Sequence, residues 1–307
     1  MLTGVDEVAS AVEQWRAEGW GLVPELIPRA EAEFARAEIE GRDLDPPLHR
    51  GPLRRSDARE PAPDEPAFRE EQFAGTTLFP IPDAPRLNRL LVHPALVGFA
   101  RAALGTDDVR IYQSRLWSKF GDRASYEQPL HRDGNHSLVP TRSEPGWWFC
   151  ECFLYLSDVD AGNGAPHLVP RSASVGEPPG RGLLHPGDEP DLYAHEVAAA
   201  GPAGSLLAYR SDVWHRGMPI QPGAERHVLV VAFKPAGLEW IGFDAHPPLV
   251  NNRDFVRFAE ACTPDELALF GVPRPGHPYW TPDTVAAMAH IYPRLDLDPW
   301  RSALDSA

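Results

Sequence analysis

Proline sets the first limit on this fold: 34 of the 307 residues carry the pyrrolidine ring, roughly twice ordinary usage. The ring fixes φ and removes a backbone donor, so proline is kept out of helix interiors and central strands. A chain so interrupted must commit many residues to loops. That suits short strands joined by long excursions and argues against a helical bundle. The length allows a sizeable core, as one large β domain with added helices or as two ordinary domains.

Periodicity divides the chain. Val5, Val8, Val12 and Trp15 recur at three- and four-residue steps and predict a helix over 3–19, followed by a short strand over 19–23 and a second helix over 31–40. Residues 41–71 collapse into proline and mixed charge, and read either as a solvated loop or as a lid over a site. A helical stretch over 84–104 is expected to break at Pro94. From Val109 the period becomes two, so that Ile111, Gln113, Arg115, Trp117 and Lys119 share one face of a strand. That face is rich in hydrogen-bonding groups; it meets either water or a polar cavity inside a barrel.

Further strands are expected over 147–156, 165–169, 205–209 and 227–233, separated by the turn sequences Asp160-Ala-Gly-Asn-Gly164 and Gly201-Pro-Ala-Gly204. Short helices are expected over 253–262, 264–269 and 282–291. The sum predicts a mainly β protein with flanking helices, its core a double-stranded β-helix, the cupin-like jelly roll. We read residues 1–307 as a single domain: a helical part over 1–105, a jelly-roll core over about 106–236, and a loop-and-helix extension over 237–307.

Several functions are disfavoured at once. A net charge of −15 argues against nucleic acid or an anionic membrane as partner. No stretch approaches the 18 or so apolar residues of a membrane span. The opening Met-Leu-Thr-Gly-Val-Asp-Glu lacks a cationic leader and an apolar run, so no signal peptide is expected. Cys150, Cys152 and Cys262 are too few for a disulfide framework, which makes a reducing cytoplasm the expected location. The sequence carries no signal for oligomeric state.

One constellation stands out. His131-Arg132-Asp133 follows the polar-faced strand, His215 follows the strand over 205–209, and Arg226 lies eleven positions after His215 at the head of an apolar run. Two imidazoles and a carboxylate can occupy one face of a ferrous ion and leave the other positions open. A guanidinium entering an apolar barrel is costly unless it meets an anion, such as the far carboxylate of 2-oxoglutarate. Each residue also has a plainer reading: a loop histidine, a turn aspartate, a core histidine beside Trp214, an arginine ending its strand in solvent. His136, His167 and His227 are rival ligands, although His227 must point opposite to Arg226.

The chain resembles the phytanoyl-CoA dioxygenase family of iron(II)- and 2-oxoglutarate-dependent oxygenases over much of residues 11–235. The likeness rests on Trp-Arg-Ala-Glu-Gly-Trp-Gly-Leu-Val near the start, Pro-Leu-His-Arg-Asp at 129–133, Asp-Ala-Gly-Asn-Gly-Ala-Pro-His-Leu-Val-Pro-Arg-Ser at 160–172, Trp-His-Arg-Gly at 214–217, and the spacing of Arg226. It implies that His131, Asp133 and His215 bind iron, and that Arg226 binds the co-substrate with Gln113 and Phe153 lining its pocket. Two positions depart from the family pattern. Arg171-Ser-Ala stands where Gly-Ser-His is usual, and Gly217 stands where a hydroxyl side chain is usual. The retained Asp133 argues against a halogenase, whose relatives carry a small residue there.

The resemblance implies hydroxylation of an unactivated C–H bond in a small organic substrate, a specialised metabolite, with 2-oxoglutarate and O2 consumed and succinate and CO2 released. Asn135, His136, Trp148 and Glu151 are candidate substrate contacts, with core packing the alternative for the tryptophan and an arginine partner the alternative for Glu151. Two other readings remain open. One is a cupin-type metalloenzyme that does not use 2-oxoglutarate; the other is a catalytically silent small-molecule-binding protein on the same barrel.

Overall fold

Two antiparallel sheets face each other in the computed structural model, which describes residues 4–40, 76–121, 127–133, 136–138, 142, 144–174, 183–187, 189–242 and 252–306. The main sheet contains β1 (Trp20–Val23), β2 (Thr76–Leu78), β3 (Val109–Phe120), β4 (Cys150–Tyr155), β7 (Leu206–Arg210) and β9 (Glu225–Pro235), in the order β1-β7-β4-β9-β3-β2. The smaller sheet joins β6 (Val197–Ala198), β5 (His167–Leu168) and β8 (His215–Arg216). Single bridges extend it: His131 pairs with His215, and Leu130 with Leu184. This is the expected jelly roll with flanking helices.

Alternation along the strands gives the main sheet two apolar faces. Leu116, Cys152, Leu154, Ala208, Leu229 and Val231 turn outward into a core shared with Trp15, Leu91, Leu96 and Phe99. Those last four come from the helical N-terminal part. There α1 (Gly4–Glu18) and α2 (Arg29–Arg36) precede α3 (Pro85–Arg89), a single 3-10 turn and α4 (Pro94–Leu104). Pro94 splits the predicted 84–104 helix because it has no N–H to continue the ladder; it sits in the first turn of α4, behind His93, whose side chain accepts from the Ala95 N–H. Trp117, Phe153, Tyr155, Leu207, Val228 and Val230 turn inward, between the sheets.

The polar-faced strand β3 differs from its predicted pattern at one point. Ile111 pairs with Phe233 and Gln113 with Ala232, so Tyr112 is an extra residue, a β-bulge. The insertion reverses the alternation. Ile111 joins the outer core, whereas Gln113, Arg115, Trp117 and Lys119 remain on the inner face. This face is therefore buried between the sheets rather than turned to bulk water.

The predicted strand over 147–156 begins only at Cys150, and that over 165–169 shrinks to two residues. After β9 come α6 (Arg253–Glu260), α7 (Pro264–Ala268), α8 (Pro282–Ile291) and α9 (Asp298–Asp305), with α5 (Pro190–Ala194) earlier in the 170–200 excursion. Strands β2, β6 and β8 and helices α5 and α9 have no counterpart in the sequence reading. Among the described residues, no helix is long and apolar enough to cross a membrane.

Candidate metal centre

β7 ends in a tight turn that Asp212 fixes, its carboxylate accepting from Arg210 Nε and Nη2 at 2.8 Å each. The turn delivers His215 to β8, opposite the loop that carries His131. Each backbone N–H of this histidine pair donates to the other's carbonyl at 3.0 Å, and the ring centroids lie 4.4 Å apart. Nδ1 of His131 lies 3.0 Å from the Pro129 carbonyl, and Nδ1 of His215 lies 3.0 Å from the Val213 carbonyl. A carbonyl only accepts, so each Nδ1 carries a proton and each Nε2 is the ring nitrogen left to face a metal.

Asp133 completes the group. Its Oδ2 lies 3.4 Å from His215 Nε2 and accepts from the Tyr209 hydroxyl at 3.2 Å. Potential ligand atoms of His131, Asp133 and His215 all lie within 4.8 Å of one another. Burial, then the neighbouring His215, pushes the His131 pKa down to about 4, so its imidazole is neutral at neutral pH. Burial opposes ionisation of Asp133, but His215, His136 and His131 together hold its carboxyl well below the usual range. Two neutral imidazoles and one carboxylate on one side fit a divalent first-row ion, with the opposite positions left for exchangeable ligands.

A polar network borders this group. Glu151, 1% exposed, accepts from the Tyr112 hydroxyl and pairs with His136 Nδ1 at 3.0 Å. His136 Nε2 in turn lies 3.9 Å from Asp133 Oδ1, which places that ring between two carboxylates. In the orientation that satisfies both neighbours, the Gln113 amide donates to Glu151 Oε2 at 3.0 Å and accepts from Arg115 Nη2 at 2.6 Å. His136, Asp133 and Glu151 form a second cluster with donor atoms within 4.8 Å. Burial disfavours the His136 cation, yet Asp133 and then Glu151 raise its pKa above the ordinary value.

Further along the same inner face lie Lys119 and Arg226, directly paired across β3 and β9 and each 1% exposed. Arg226 Nη1 donates to the Gly164 carbonyl, and Lys119 Nζ donates to the Met218 carbonyl at 3.2 Å. Gly164 ends the Asp160–Gly164 turn with φ +76°, and a Cβ there would meet the Met218 carbonyl at 2.7 Å, so glycine is required twice over.

The sequence candidates separate on this frame. Phe153 packs edge-on to Trp117 and Tyr209, at centroid distances of 6.2 and 5.6 Å, between the cation pair and the histidine group. Trp148 takes the core-packing alternative and is not a substrate contact: it packs 5.6 Å from Trp15 in the outer core, with Arg210 over its ring at 4.3 Å, on the far face of the sheet. Its parity explains this, since Phe149 and Glu151 share the alternation that points inward. Glu151 turns inward, and its hydrogen-bond partners are Tyr112, His136 and the Gln113 amide rather than the arginine of the alternative reading. His227 points away from the cavity, bonding Ser118 Oγ at 2.8 Å, and His167 pairs with Glu196 at 3.0 Å. Asn135 and residues 41–71 lie outside the described residues.

The variant Arg171-Ser-Ala turn has a structural use, because Ser172 N–H and Oγ donate to Glu18 Oε2 at 3.0 and 2.7 Å and tie the turn to α1. Sequence reasoning gave no site role to Tyr112, Tyr209, Arg115 or Lys119. The signal present was the run of polar residues at alternate positions 113, 115 and 119, which marks a polar inner face.

The sequence matches the model of the phytanoyl-CoA dioxygenase family over residues 9–228. No curated protein matches it. Among solved structures, it is similar to the non-heme α-ketoglutarate-dependent carbocyclase SnoK from nogalamycin biosynthesis, with 20% identity over 76% of this chain and 87% of that one and a TM-score of 0.55. The epimerase SnoN, solved with Fe3+, α-ketoglutarate and nogalamycin RO, gives 15% identity over 80% and 91% and a TM-score of 0.54. AviO1 from Streptomyces viridochromogenes Tue57 gives 21% identity over 80% and 99% and a TM-score of 0.50. At these identities the structural likeness establishes the jelly-roll fold.

Proposed function

The chain belongs to the phytanoyl-CoA dioxygenase family, whose cofactors are iron and 2-oxoglutarate, and from that premise we propose that it hydroxylates an unactivated C–H bond of a small organic substrate. One observation carries the reading. His131 and His215 present their Nε2 atoms side by side through identical Nδ1–carbonyl bonds, with Asp133 within ligand distance of both. In this reading His131 Nε2, Asp133 and His215 Nε2 hold Fe(II). Arg226 takes the far carboxylate of 2-oxoglutarate in a charge-assisted pair, with Phe153 and Gln113 lining the path between.

When bound, iron and 2-oxoglutarate supply the oxidising chemistry, splitting O2 between succinate and the substrate while CO2 leaves. The protein positions and shields. Tyr209 holds one oxygen of Asp133, which fixes the face that carboxylate turns to the ion. The apolar belt of Val228, Val230, Trp117 and Phe153 keeps water from the region between metal and Arg226. His136 and Glu151, with Tyr112, provide hydrogen-bonding groups on the substrate side.

The similarity to proteins of nogalamycin biosynthesis favours a specialised metabolite as substrate, and the charge of −15 disfavours a polyanion. The buried cation pair on the cavity wall favours 2-oxoglutarate use over a cupin chemistry that needs no dicarboxylate. The test is anaerobic addition of 2-oxoglutarate to the Fe(II)-loaded protein, which is expected to give a visible metal-to-ligand charge-transfer band. No band would overturn the reading and favour the binding protein. Turnover of a metabolite panel then separates reaction types by mass: one added oxygen for hydroxylation, two lost hydrogens for ring closure, no change for epimerisation.

A further inference from the structure

We propose that Lys119 is a second cation of the co-substrate pocket, its ammonium filling the space left by Gly217 and sharing with Arg226 the far carboxylate of 2-oxoglutarate. The proposal rests on the functional reading above and names the residue that this chain adds to it.

Register supplies the first argument. Lys119 and Arg226 are direct partners across β3 and β9, and directly opposed residues of an antiparallel pair project from the same face with neighbouring Cβ atoms. Both are buried to 1% exposure, so neither head reaches bulk water. Their anchors also converge: the Gly164 carbonyl holds Arg226 and the Met218 carbonyl holds Lys119, and those two segments are in contact where Gly164 lacks a side chain. The two cationic heads are thus held by adjoining turns at one end of the cavity.

Gly217 supplies the second. It lies two residues beyond His215, and its φ is not in the left-handed region, so backbone conformation does not demand glycine there. Space does. A Cβ on residue 217 would lie 3.2 Å from Lys119 Nζ and 2.5 Å from Gln128 Oε1, which itself accepts from the Gly217 N–H at 2.7 Å. The volume that a side chain at 217 would claim is held by an ammonium and an amide. A donor at this place is therefore supplied from β3 across the barrel rather than from the strand that follows His215.

Charge supplies the third. Burial, and then the adjacent Arg226, pushes the Lys119 pKa well below its ordinary value, so this pairing of like charges is unfavourable by itself. A carboxylate between the heads reverses that balance, since each oxygen meets one cation in a desolvated, charge-assisted bond. A keto acid without the far carboxylate gains nothing from either head.

The experiment measures binding, by anaerobic calorimetry on the Fe(II)-loaded protein, of 2-oxoglutarate and of 2-oxopentanoate, which keeps the chain length and lacks the far carboxylate. Lys119→Met is expected to weaken 2-oxoglutarate by about ten- to a hundredfold and to leave 2-oxopentanoate and Fe(II) binding unchanged. Equal affinity of wild type and Lys119→Met for 2-oxoglutarate would overturn the proposal, and so would an equal loss for both keto acids. If Lys119→Met does not fold, Lys119→Gln is read by the same criteria. Failure of the wild-type protein to bind 2-oxoglutarate would instead overturn the functional reading itself.

Discussion

His131 and His215 are joined twice at the backbone, each N–H donating to the other's carbonyl at 3.0 Å, before either imidazole meets a ligand. The loop after β3 and the short strand β8 thereby become neighbours through the sheet ladder, and the rings inherit that placement. Each ring is then oriented by a carbonyl two residues upstream, Pro129 for one and Val213 for the other. Removing one ring leaves the backbone pair intact.

His215→Ala is accordingly expected to keep a cooperative unfolding transition while losing metal. Loss of a ligand costs at least as much as loss of a group supporting one, so Fe(II) or Co(II) affinity is expected to fall by more than about a hundredfold. Calorimetric metal titration beside a thermal melt checks both halves. A variant that binds metal like the wild type would remove His215 from the ligand set.

Metal-free protein is expected to be most stable near pH 6.5, because two histidines act in opposite directions. The folded-state pKa of His131 is depressed to about 4. The unfolded chain therefore takes up the proton first, and this contribution, full above the unfolded value of about 6.5, is lost as pH falls towards 4. His136 is raised by Asp133 and Glu151 against the effect of burial, so its contribution is full below about 6.5 and is lost as pH rises through its folded value. Urea midpoints across pH 4–8 give the profile. His136→Asn should remove the decline on the alkaline side and leave that on the acid side.

Glu151→Gln is expected to destabilise the protein by about 1–3 kcal/mol. Glu151 Oε1 takes the Tyr112 hydroxyl and faces His136 Nδ1 at 3.0 Å, while Oε2 faces the Gln113 amide at 3.0 Å. An amide has one accepting oxygen, so at least one buried donor faces an NH2 group. Chemical denaturation measures the cost, and an effect near zero would mean the network carries no stability.

Much of this arrangement is legible from sequence because its determinants are local. The alternation over 109–119 marks a strand, Pro94 marks a helix start, and His131, Asp133, His215 and Arg226 are recognisable by type and spacing. What escapes is set by long-range pairing. The bulge at Tyr112 exists only because β9 supplies one residue fewer opposite it, so Ile111 looks like a member of the inner face until the partner strand is known. β2 and β8 are short pieces stabilised by ladders to distant segments and have no period of their own. Trp148 has the composition of a pocket wall, but the parity of β4 sends it to Trp15.

That last reassignment has a measurable consequence. Trp148 fills the outer core against Trp15 and under the Arg210 guanidinium. Trp148→Ala should therefore cost about 3–5 kcal/mol, as for a large core aromatic. The variant, studied at a temperature where it remains folded, should bind metal and 2-oxoglutarate like the wild type. Retained stability with altered ligand binding would return the residue to the site.

Arg226 separates the main functional reading from its nearest rival. Its head is buried to 1% exposure and bonded to the Gly164 carbonyl, at the end of the cavity it shares with Lys119. If the cavity takes 2-oxoglutarate, Arg226→Ala removes a charge-assisted contact to a desolvated carboxylate. The concentration of 2-oxoglutarate required for succinate release should then rise by more than about a hundredfold, with Fe(II) affinity unchanged. Arg226→Lys keeps the charge on a single ammonium in place of the planar fork, which cannot bond both the Gly164 carbonyl and a carboxylate in the same geometry, so an intermediate requirement is expected. A cupin-type enzyme indifferent to 2-oxoglutarate predicts no change in that requirement for either variant, because the arginine would then serve only to tie β9 to the Asp160–Gly164 turn. That structural role predicts a lowered melting temperature with untouched co-substrate dependence, an outcome that the same two variants would reveal.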